Sequence, residues 1–533
     1  MNKLISELKQ HWRTDIMSGF LVSLIALPLC LGIAAASNFP PIMGVMTAIV
    51  GGLVVTLFAG SHLTIKGPAA GLIVILAGAV EAFGGGEIGW HLALGVVVVS
   101  GLLQIVFGKL KFAKFADIFP ISSVHGMLAA IGIIIISRQI HLLLGEDPAI
   151  LKGKSPIELI EMIPHAFTVF NNSILLIGAI SLAILFIWPK IPVAFLKKVP
   201  AALVVLIGSV TMAAYFHLSD PEFAGLKPLV NPGTFSLNWN VDFSGIFSNT
   251  TVFFEYLLMF VLIGSLEALL TNKAIDLMTP NKPKSDSNKD LSAIGIGNSV
   301  SGILGGLPMI SEVARSSSNV MNGAQSRWSN FFHGVFLLLY VLVLTPVIKM
   351  VPVAALSAML IYVGLRLASA KEFRHAWSLG KDQFLIFFAT IIVCLLTDLL
   401  LGVFTGVFIK IVLHFARGLS AKELFKTTFS IEEEVGLIKI QMGSSVIFTN
   451  VINLRKRLAA LPVTNKTVID VSNAKIVDHS AQQTLIELQK EYAKNNRELL
   501  IVGLENHKRS SSHELSTAYL KKSHKLGSQV DLN

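Results

Sequence analysis

The sequence predicts an α-helical polytopic membrane protein that carries a small soluble α/β domain at its C-terminus, and three observations lead there. Hydrophobic residues fill 53% of the 533 positions and charged residues only 14%. With a mean hydropathy of +0.68, that is too little charge to cover the surface of a water-soluble protein of this length. The apolar residues fall in runs of about 17–25 positions almost free of charge, each long enough to cross roughly 30 Å of hydrocarbon. The runs recur from Asp15 to about residue 419, after which the composition becomes ordinary. The expected organisation is therefore a membrane domain over 1–420, a soluble domain over 430–525 and a tail over 526–533.

Several function classes are disfavoured at this level. The net charge of +10 is expected to come from Lys and Arg anchoring loops, since no basic cluster of the kind that holds nucleic acid is visible. Cys30 and Cys394 both fall inside apolar runs, which leaves no disulfide framework and no zinc spacing. The amphipathic stretch from Met1 to Trp12 lacks the apolar core and small-residue cleavage site of a secretory signal. With no metal cluster, no nucleophile beside a base and no phosphate-binding loop, an enzyme is not expected, and neither a cofactor nor a structural metal.

In chain order, membrane spans are expected near 16–36, 42–59, 67–84, 90–108, 119–142, 172–188 and 199–217, then near 252–272, 290–305, 312–325, 330–350, 353–366, 382–399 and 400–419. That is seven plus seven. With the N-terminus inside, the cytoplasmic segments hold Lys3, Lys9, Arg13, Lys109, Lys111, Lys114, Lys190, Lys197 and Lys198 in the first half. The second half adds Lys273, Lys282, Lys284, Lys289, Arg327, Arg366, Lys371, Arg374 and Lys381. The outside loops hold only Lys152, Lys154, Lys227 and Lys349. A bias of eighteen to four follows the positive-inside rule and places both termini in the cytoplasm.

The third span of each half is interrupted. Ser61-His-Leu-Thr-Ile-Lys-Gly-Pro-Ala-Ala-Gly71 and Gly305-Gly-Leu-Pro-Met-Ile-Ser-Glu-Val-Ala-Arg315 each combine an extended stretch with Gly and Pro. Broken segments at matching positions of two halves point to a transporter's binding site. Pro68 suits the first turn of a helix, where its missing N–H costs nothing. A helix beginning at that depth turns free N–H groups and a positive dipole end toward the midplane, where two such ends can hold an anion. Gly67, Pro68, Ala69, Ala70, Ser311 and Ser316 are the expected substrate-binding positions, with Arg315 supplying positive potential or pairing with Glu312 three residues before it. Glu267 lies inside the eighth span with Thr271 one turn on, a pair suited to Na⁺, H⁺ or charge balance. Lys66 either adds potential to the site or snorkels to the cytoplasmic edge. His125 is read as a packing histidine with its ring satisfied, and Asp276 as solvated.

At these residues the chain resembles the sulfate permease (SulP) family of anion transporters. The resemblance runs from Leu27-Pro28 and Ala34-Ala-Ala-Ser-Asn-Phe-Pro40-Pro41 through Gly67-Pro68-Ala-Ala-Gly71. It continues through Asp286-Ser-Asn-Lys-Asp-Leu-Ser-Ala-Ile-Gly-Ile-Gly-Asn298 and Gly306-Leu-Pro308 to Ala314-Arg315-Ser316 and Asn322-Gly-Ala324. Thr467-Val-Ile-Asp-Val-Ser472 reads as a buried strand and Ala481 to about Lys494 as a helix capped by Asp478 or Ser480. Leu499-Leu-Ile-Val-Gly503 reads as the next strand. This region is similar to the STAS domain that the family carries, and Ser480 matches a position phosphorylated in some relatives of that domain.

The resemblance implies two inverted seven-span repeats forming core and gate domains, with an anion held between half-helices three and ten and moved by an elevator-like shift. It implies a multi-pass protein of the inner membrane, a homodimer, and a STAS domain able to recruit a cytoplasmic protein. The expected cargo is a small inorganic anion, bicarbonate first, with Na⁺ as the coupling ion at Glu267 and Thr271. Sulfate, dicarboxylate or chloride transport is the alternative within the family, and a nucleobase-type permease or a non-transporting sensor lies beyond it. The chain departs from the family pattern at Leu29, where many relatives carry Glu or Gln, and at Met309 and Glu312, where small residues are usual.

Overall fold

The computed structural model describes residues 2–113, 119–151, 154–193, 199–223, 225–233, 241–279, 282–434, 437–460, 466–494 and 497–521. Lys114, Lys152, Lys197, Lys198 and the 526–533 tail lie outside them. The chain divides into two compact units, Met1–Ala113 with Ile131–Ala368, and Lys114–Ala130 with Ser369–Asn533.

The apolar runs fold as helices, most of them long and the interrupted ones short. In the first half these are α1 (Asn2–Ala36), α2 (Pro41–Val50, extended by a π turn over Gly51–Val55), the strand β1 (Ile65–Pro68) with α3 (Ile73–Ala82), and α4 (Gly86–Lys109). After them come α5 (Ile121–Leu144), α6 (Pro156–Ala166), α7 (Asn172–Ile187) and α8 (Ala201–Tyr215). The second half repeats the pattern with α9 (Thr250–Met278), α10 (Ser287–Ile303), β2 (Met309–Glu312) with α11 (Val313–Met321), α12 (Trp328–Ile348) and α13 (Val353–Leu367). It ends with α14 (Ala370–Ser378), α15 (Lys381–Leu396) and α16 (Leu399–Ala416). Among the described residues nine helices are long and apolar enough to cross a membrane. The shorter members include the half-helices, whose missing length is supplied by β1 and β2.

Two features depart from the expected spans. The amphipathic N-terminal stretch is continuous with the first span in one 35-residue helix. The loop after the fifth span holds the extra helix α6, which starts with a capping box: the Glu158 N–H donates to Ser155 Oγ at 3.3 Å and the Ser155 N–H to Glu158 Oε2 at 2.6 Å.

Within the first unit, helices meet through small residues. A Cβ at Gly101 of α4 would lie 2.6 Å from the Gly295 carbonyl oxygen, and one at Gly295 of α10 would lie 2.5 Å from that of Gly101. Neither position tolerates a side chain while the helices remain this close, which is how membrane helices gain packing where burial from water supplies little.

In the second unit the C-terminal region forms an α/β fold. Strands β3 (Phe429–Glu434), β4 (Leu437–Met442), β5 (Lys466–Asp470) and β7 (Glu498–Val502) lie in that order. β3 is antiparallel to β4, and β4, β5 and β7 are mutually parallel. Helices α17 (Val451–Ala460) and α18 (His479–Lys494) supply the crossovers that parallel neighbours require. Strand β6 (Ile476–Val477) belongs to a second sheet with β8 (His507–Arg509) and β9 (Ala518–Leu520). Ala481, Leu485, Leu488 and Tyr492 recur at helical spacing along one face of α18 and pack into a core with Ile440 and Ile469. The strands and the helix expected from residues 467–503 are present, and the domain fits the STAS fold.

Candidate anion site between two half-helices

β1 and β2 run antiparallel, pairing Ile65 with Glu312, Lys66 with Ser311, Gly67 with Ile310 and Pro68 with Met309. This strand pair delivers both half-helices from one place. Pro68 sits in the strand rather than in the first helical turn. Its fixed φ and missing N–H are tolerated at the strand's end, and Ala69 follows in extended geometry (φ −100°, ψ 130°) before a 3₁₀ turn over Ala70–Leu72 leads into α3. Ala69 is buried and Ala70 half-buried at that opening.

The strands are fixed by Asp290 of α10. Its Oδ1 accepts from the backbone N–H groups of Gly60 and Ser61, both at 3.0 Å, from Ser61 Oγ at 2.9 Å, and from Lys66 Nζ at 3.1 Å. Its Oδ2 accepts from Asn272 Nδ2 at 2.8 Å and from Ser311 Oγ at 3.2 Å. Lys66 therefore does not snorkel. It is 1% exposed, and its ammonium also donates to Ser61 Oγ and Thr64 Oγ1. Ser311 is turned toward Asp290 and away from the helix ends.

The N-terminus of α11 is capped by Glu312. Its Oε1 accepts from the Ala314 N–H at 3.1 Å, and its Oε2 from the Arg315 N–H at 2.7 Å and from Arg315 Nε at 3.3 Å. The fully buried guanidinium of Arg315 also donates to the Pro68 carbonyl and lies 3.4 Å from Cys30 Sγ. The structure thus pairs Arg315 with Glu312 and binds it across to β1. Ser316 is equally engaged: its Oγ donates to the Glu312 carbonyl at 2.5 Å and accepts from the Ile65 N–H at 2.9 Å.

Glu267 of α9 faces the other half-helix. It is buried, its Oε1 has no hydrogen-bond partner among the described residues, and a Cβ at Gly71 would lie 1.8 Å from that oxygen. Thr271, one turn on, is also buried. Gly67, Pro68, Ala69, Ala70, Glu267, Glu312 and Arg315 therefore come together, whereas the hydroxyls of Ser311 and Ser316 are engaged within the strand frame. Asp276 is not simply solvated, since it accepts from the Ser285 N–H and Oγ at 3.0 and 2.8 Å. The His125 ring is bonded to Glu372 at 2.7 Å and is 42% exposed, a surface pair rather than a packing residue.

Asp290 was not among the residues expected at the site. The available signal was a carboxylate one turn into a span. A second unanticipated cluster lies in the C-terminal unit, where Lys410 and His414 project from one face of α16 onto Asp478 at 3.1 and 3.2 Å, all three buried. Lys410 also lies 4.6 Å above the Phe448 ring and donates to Ser480 Oγ at 2.9 Å. Asp478 is the cap of α18, its Oδ1 accepting from the Ala481 N–H at 2.7 Å. Ser480 is not the cap. Its hydroxyl instead accepts from Lys410 and, at 3.4 Å, from the Ile121 N–H.

A membrane domain with two half-helices raised on a pair of antiparallel strands, a buried arginine and a buried carboxylate with one oxygen unpaired among the described residues defines a carrier for small anions. The match to the sulfate permease family over residues 12–390 covers most of the chain, and the protein belongs to that family of membrane anion transporters. The putative sulfate transporter YvdB of Bacillus subtilis is 27% identical over 98% of this chain and 96% of its own. The bicarbonate transporter BicA of Picosynechococcus is 27% identical over 77% and 72%. The transmembrane domain of a cyanobacterial BicA superposes with a TM-score of 0.65 at 23% identity, covering 74% of this chain and 97% of that one. SLC26A9 superposes with a TM-score of 0.65 at 15% identity over 93% and 85%, so these likenesses establish the fold.

Proposed function

We propose that the protein is a secondary carrier of a small inorganic anion, bicarbonate first, coupled to Na⁺ and working by an elevator-type alternation of access. The observation that carries the reading is the β1–β2 pair. It raises the starts of α3 and α11 together inside the membrane domain, where N–H groups and dipole ends favour negative charge. Arg315 contributes positive potential from within the frame. Glu267 supplies a buried oxygen with no partner among the described residues, and oxygen donors of this kind suit a hard cation, with Thr271 beside it. The relative named as a bicarbonate transporter supports the choice of anion. The relative named as a putative sulfate transporter, which matches nearly the whole chain, supports sulfate as the second reading.

The protein lies in an inner membrane, and the Lys and Arg bias supports both termini facing the cytoplasm. It works as a homodimer, and its C-terminal domain offers a surface to a cytoplasmic partner.

Uptake of radiolabelled bicarbonate and of sulfate into proteoliposomes, with and without an inward Na⁺ gradient, tests the reading. Na⁺-stimulated bicarbonate uptake is expected. Sulfate uptake indifferent to Na⁺ would replace the cargo and remove Na⁺ from Glu267. Arg315→Ala is expected to abolish uptake while leaving folded protein in the membrane, and wild-type uptake by that variant would discard the site.

A further inference from the structure

At the start of α11 the donors that an anion would use are already engaged by the chain itself. Glu312 closes β2 and opens the helix, and its two carboxylate oxygens accept from the Ala314 N–H, the Arg315 N–H and Arg315 Nε. This is the arrangement a free oxyanion would adopt on a helix end beside an arginine. The Glu312 side chain is 20% exposed, whereas that of Arg315 is 1% exposed. The carboxylate therefore has an open side into which it can swing, and the guanidinium does not.

A second, independent observation marks the neighbouring half-helix start as a place where a buried oxygen lacks a partner among the described residues. Glu267 is buried with its Oε1 unpaired and directed at Gly71, before the start of α3. Gly67, four residues before Gly71, lies against the guanidinium that Glu312 holds: a Cβ there would be 2.5 Å from Arg315 Nη1. Placing a carboxylate on the helix end is a poor design for an open anion receptacle. It is a reasonable one for a receptacle that starts out filled.

We propose that Glu312 is a tethered competitor: its carboxylate fills the anion seat at the N-terminus of α11, and cargo binds only when that carboxylate swings away. This rests on the anion-carrier reading above and adds a selectivity to it. The displaced carboxylate remains nearby, and its repulsion scales with the charge of the incoming ion, so a dianion is penalised more than a monoanion. Glu312 therefore lowers affinity for every anion and biases the site toward singly charged ones.

The test compares Glu312→Asn and Glu312→Ser, which keep a capping oxygen for the helix but remove the charge, with Glu312→Asp, which keeps both. Bicarbonate and sulfate serve as probes, with the Kd of purified protein measured by titration calorimetry and the KM by proteoliposome uptake. E312N and E312S are expected to bind both probes at least about tenfold more tightly, with the larger gain for sulfate, while E312D stays near wild type. Unchanged or weaker binding in both neutral variants overturns the proposal, as does an equal gain in E312D. Ala70→Phe separates this from the site reading. If A70F transports like wild type, the site itself is misplaced. If A70F is inactive and the neutral Glu312 variants are unchanged, the site stands and the tethered competitor is discarded.

Discussion

The ammonium of Lys66 lies 3.1 Å from the carboxylate of Asp290, and both side chains are buried. Through this pair α10 holds β1, and through the Ser311 hydroxyl on the other oxygen of the same carboxylate it holds β2. The position of both half-helices thus depends on one aspartate.

Removing one partner of this pair leaves an uncompensated charge in a low-dielectric setting, which costs about 3–5 kcal/mol. Lys66→Met and Asp290→Asn should each lower the thermal midpoint of the purified protein sharply and abolish uptake. The double variant should regain much of the stability, because no buried charge is then left alone. A double-mutant cycle on melting temperatures reads this directly. Additive losses would show that the two side chains do not act as a pair.

The spans and the two interrupted segments were legible because they rest on local pattern: apolar runs of membrane length, and Gly with Pro where a helix cannot continue. The start of the first half-helix was misread because Pro68 satisfies a helix start and a strand end equally well, and only the pairing with Met309 decides between them. Asp290 and the orientation of Ser311 were not legible. The partners of Asp290 lie between 18 and 230 residues away in sequence, and no local spacing encodes such a hub. Lys410 escaped the sequence reading: it is a charge inside an apolar run, and nothing in the run names Asp478 as its partner. For Arg315 the sequence suggested either an anion-attracting charge or a pair with Glu312, and the observed bonds to Glu312 and Pro68 show the pair.

The start of α18 should loosen in mild acid. The His479 ring is buried and bonded to the Leu515 carbonyl at 2.8 Å. Burial holds its pKa down at about 4, against an ordinary value of 6.5. The opened form therefore binds more protons between those values, and the folded form gains stability as pH rises through that window. The contribution is complete above about pH 6.5 and is lost as pH falls toward 4, on the order of 3 kcal/mol in all. Burial alone would raise the Asp478 carboxyl. Lys410, His414 and the Ala481 N–H outweigh burial and hold it well below its ordinary 3.8, so its contribution disappears only at still lower pH. Hydrogen exchange along α18, corrected for intrinsic rate, should show more frequent opening at pH 5 than at pH 7.5. His479→Gln should flatten that difference, and an equal pH response in the variant would remove the histidine from the account.

Lys410→Met should release the C-terminal end of this cluster more severely than Ser480→Ala. The first leaves the Asp478 carboxylate buried without the ammonium that pairs with it and forfeits the contact with the Phe448 ring, a loss of about 3–5 kcal/mol. The second removes one hydroxyl that accepts from Lys410, about 1 kcal/mol. Limited proteolysis at neutral pH should cut near residues 476–482 in K410M while S480A stays close to wild type. Equal resistance in both would mean that the lysine is not holding the domain. Any modification of Ser480 would first require it to leave the Lys410 ammonium, so modified protein should resemble K410M.

Gly71→Ala tests the neighbourhood of Glu267 without touching a charge. A methyl group there would sit 1.8 Å from Glu267 Oε1 and 2.5 Å from its carboxyl carbon, so the side chain must rotate away. Backbone strain is not expected, because Gly71 lies in a 3₁₀ turn rather than at a positive φ. Stability should therefore fall only modestly, by about 1 kcal/mol, while uptake falls and its dependence on Na⁺ changes in the same sense as in Glu267→Gln. Parallel uptake curves against Na⁺ concentration for wild type, G71A and E267Q make the comparison. If G71A keeps the wild-type Na⁺ response while E267Q loses it, the carboxylate works from a position other than the one it occupies beside Gly71, and the coupling ion does not bind between α3 and α9.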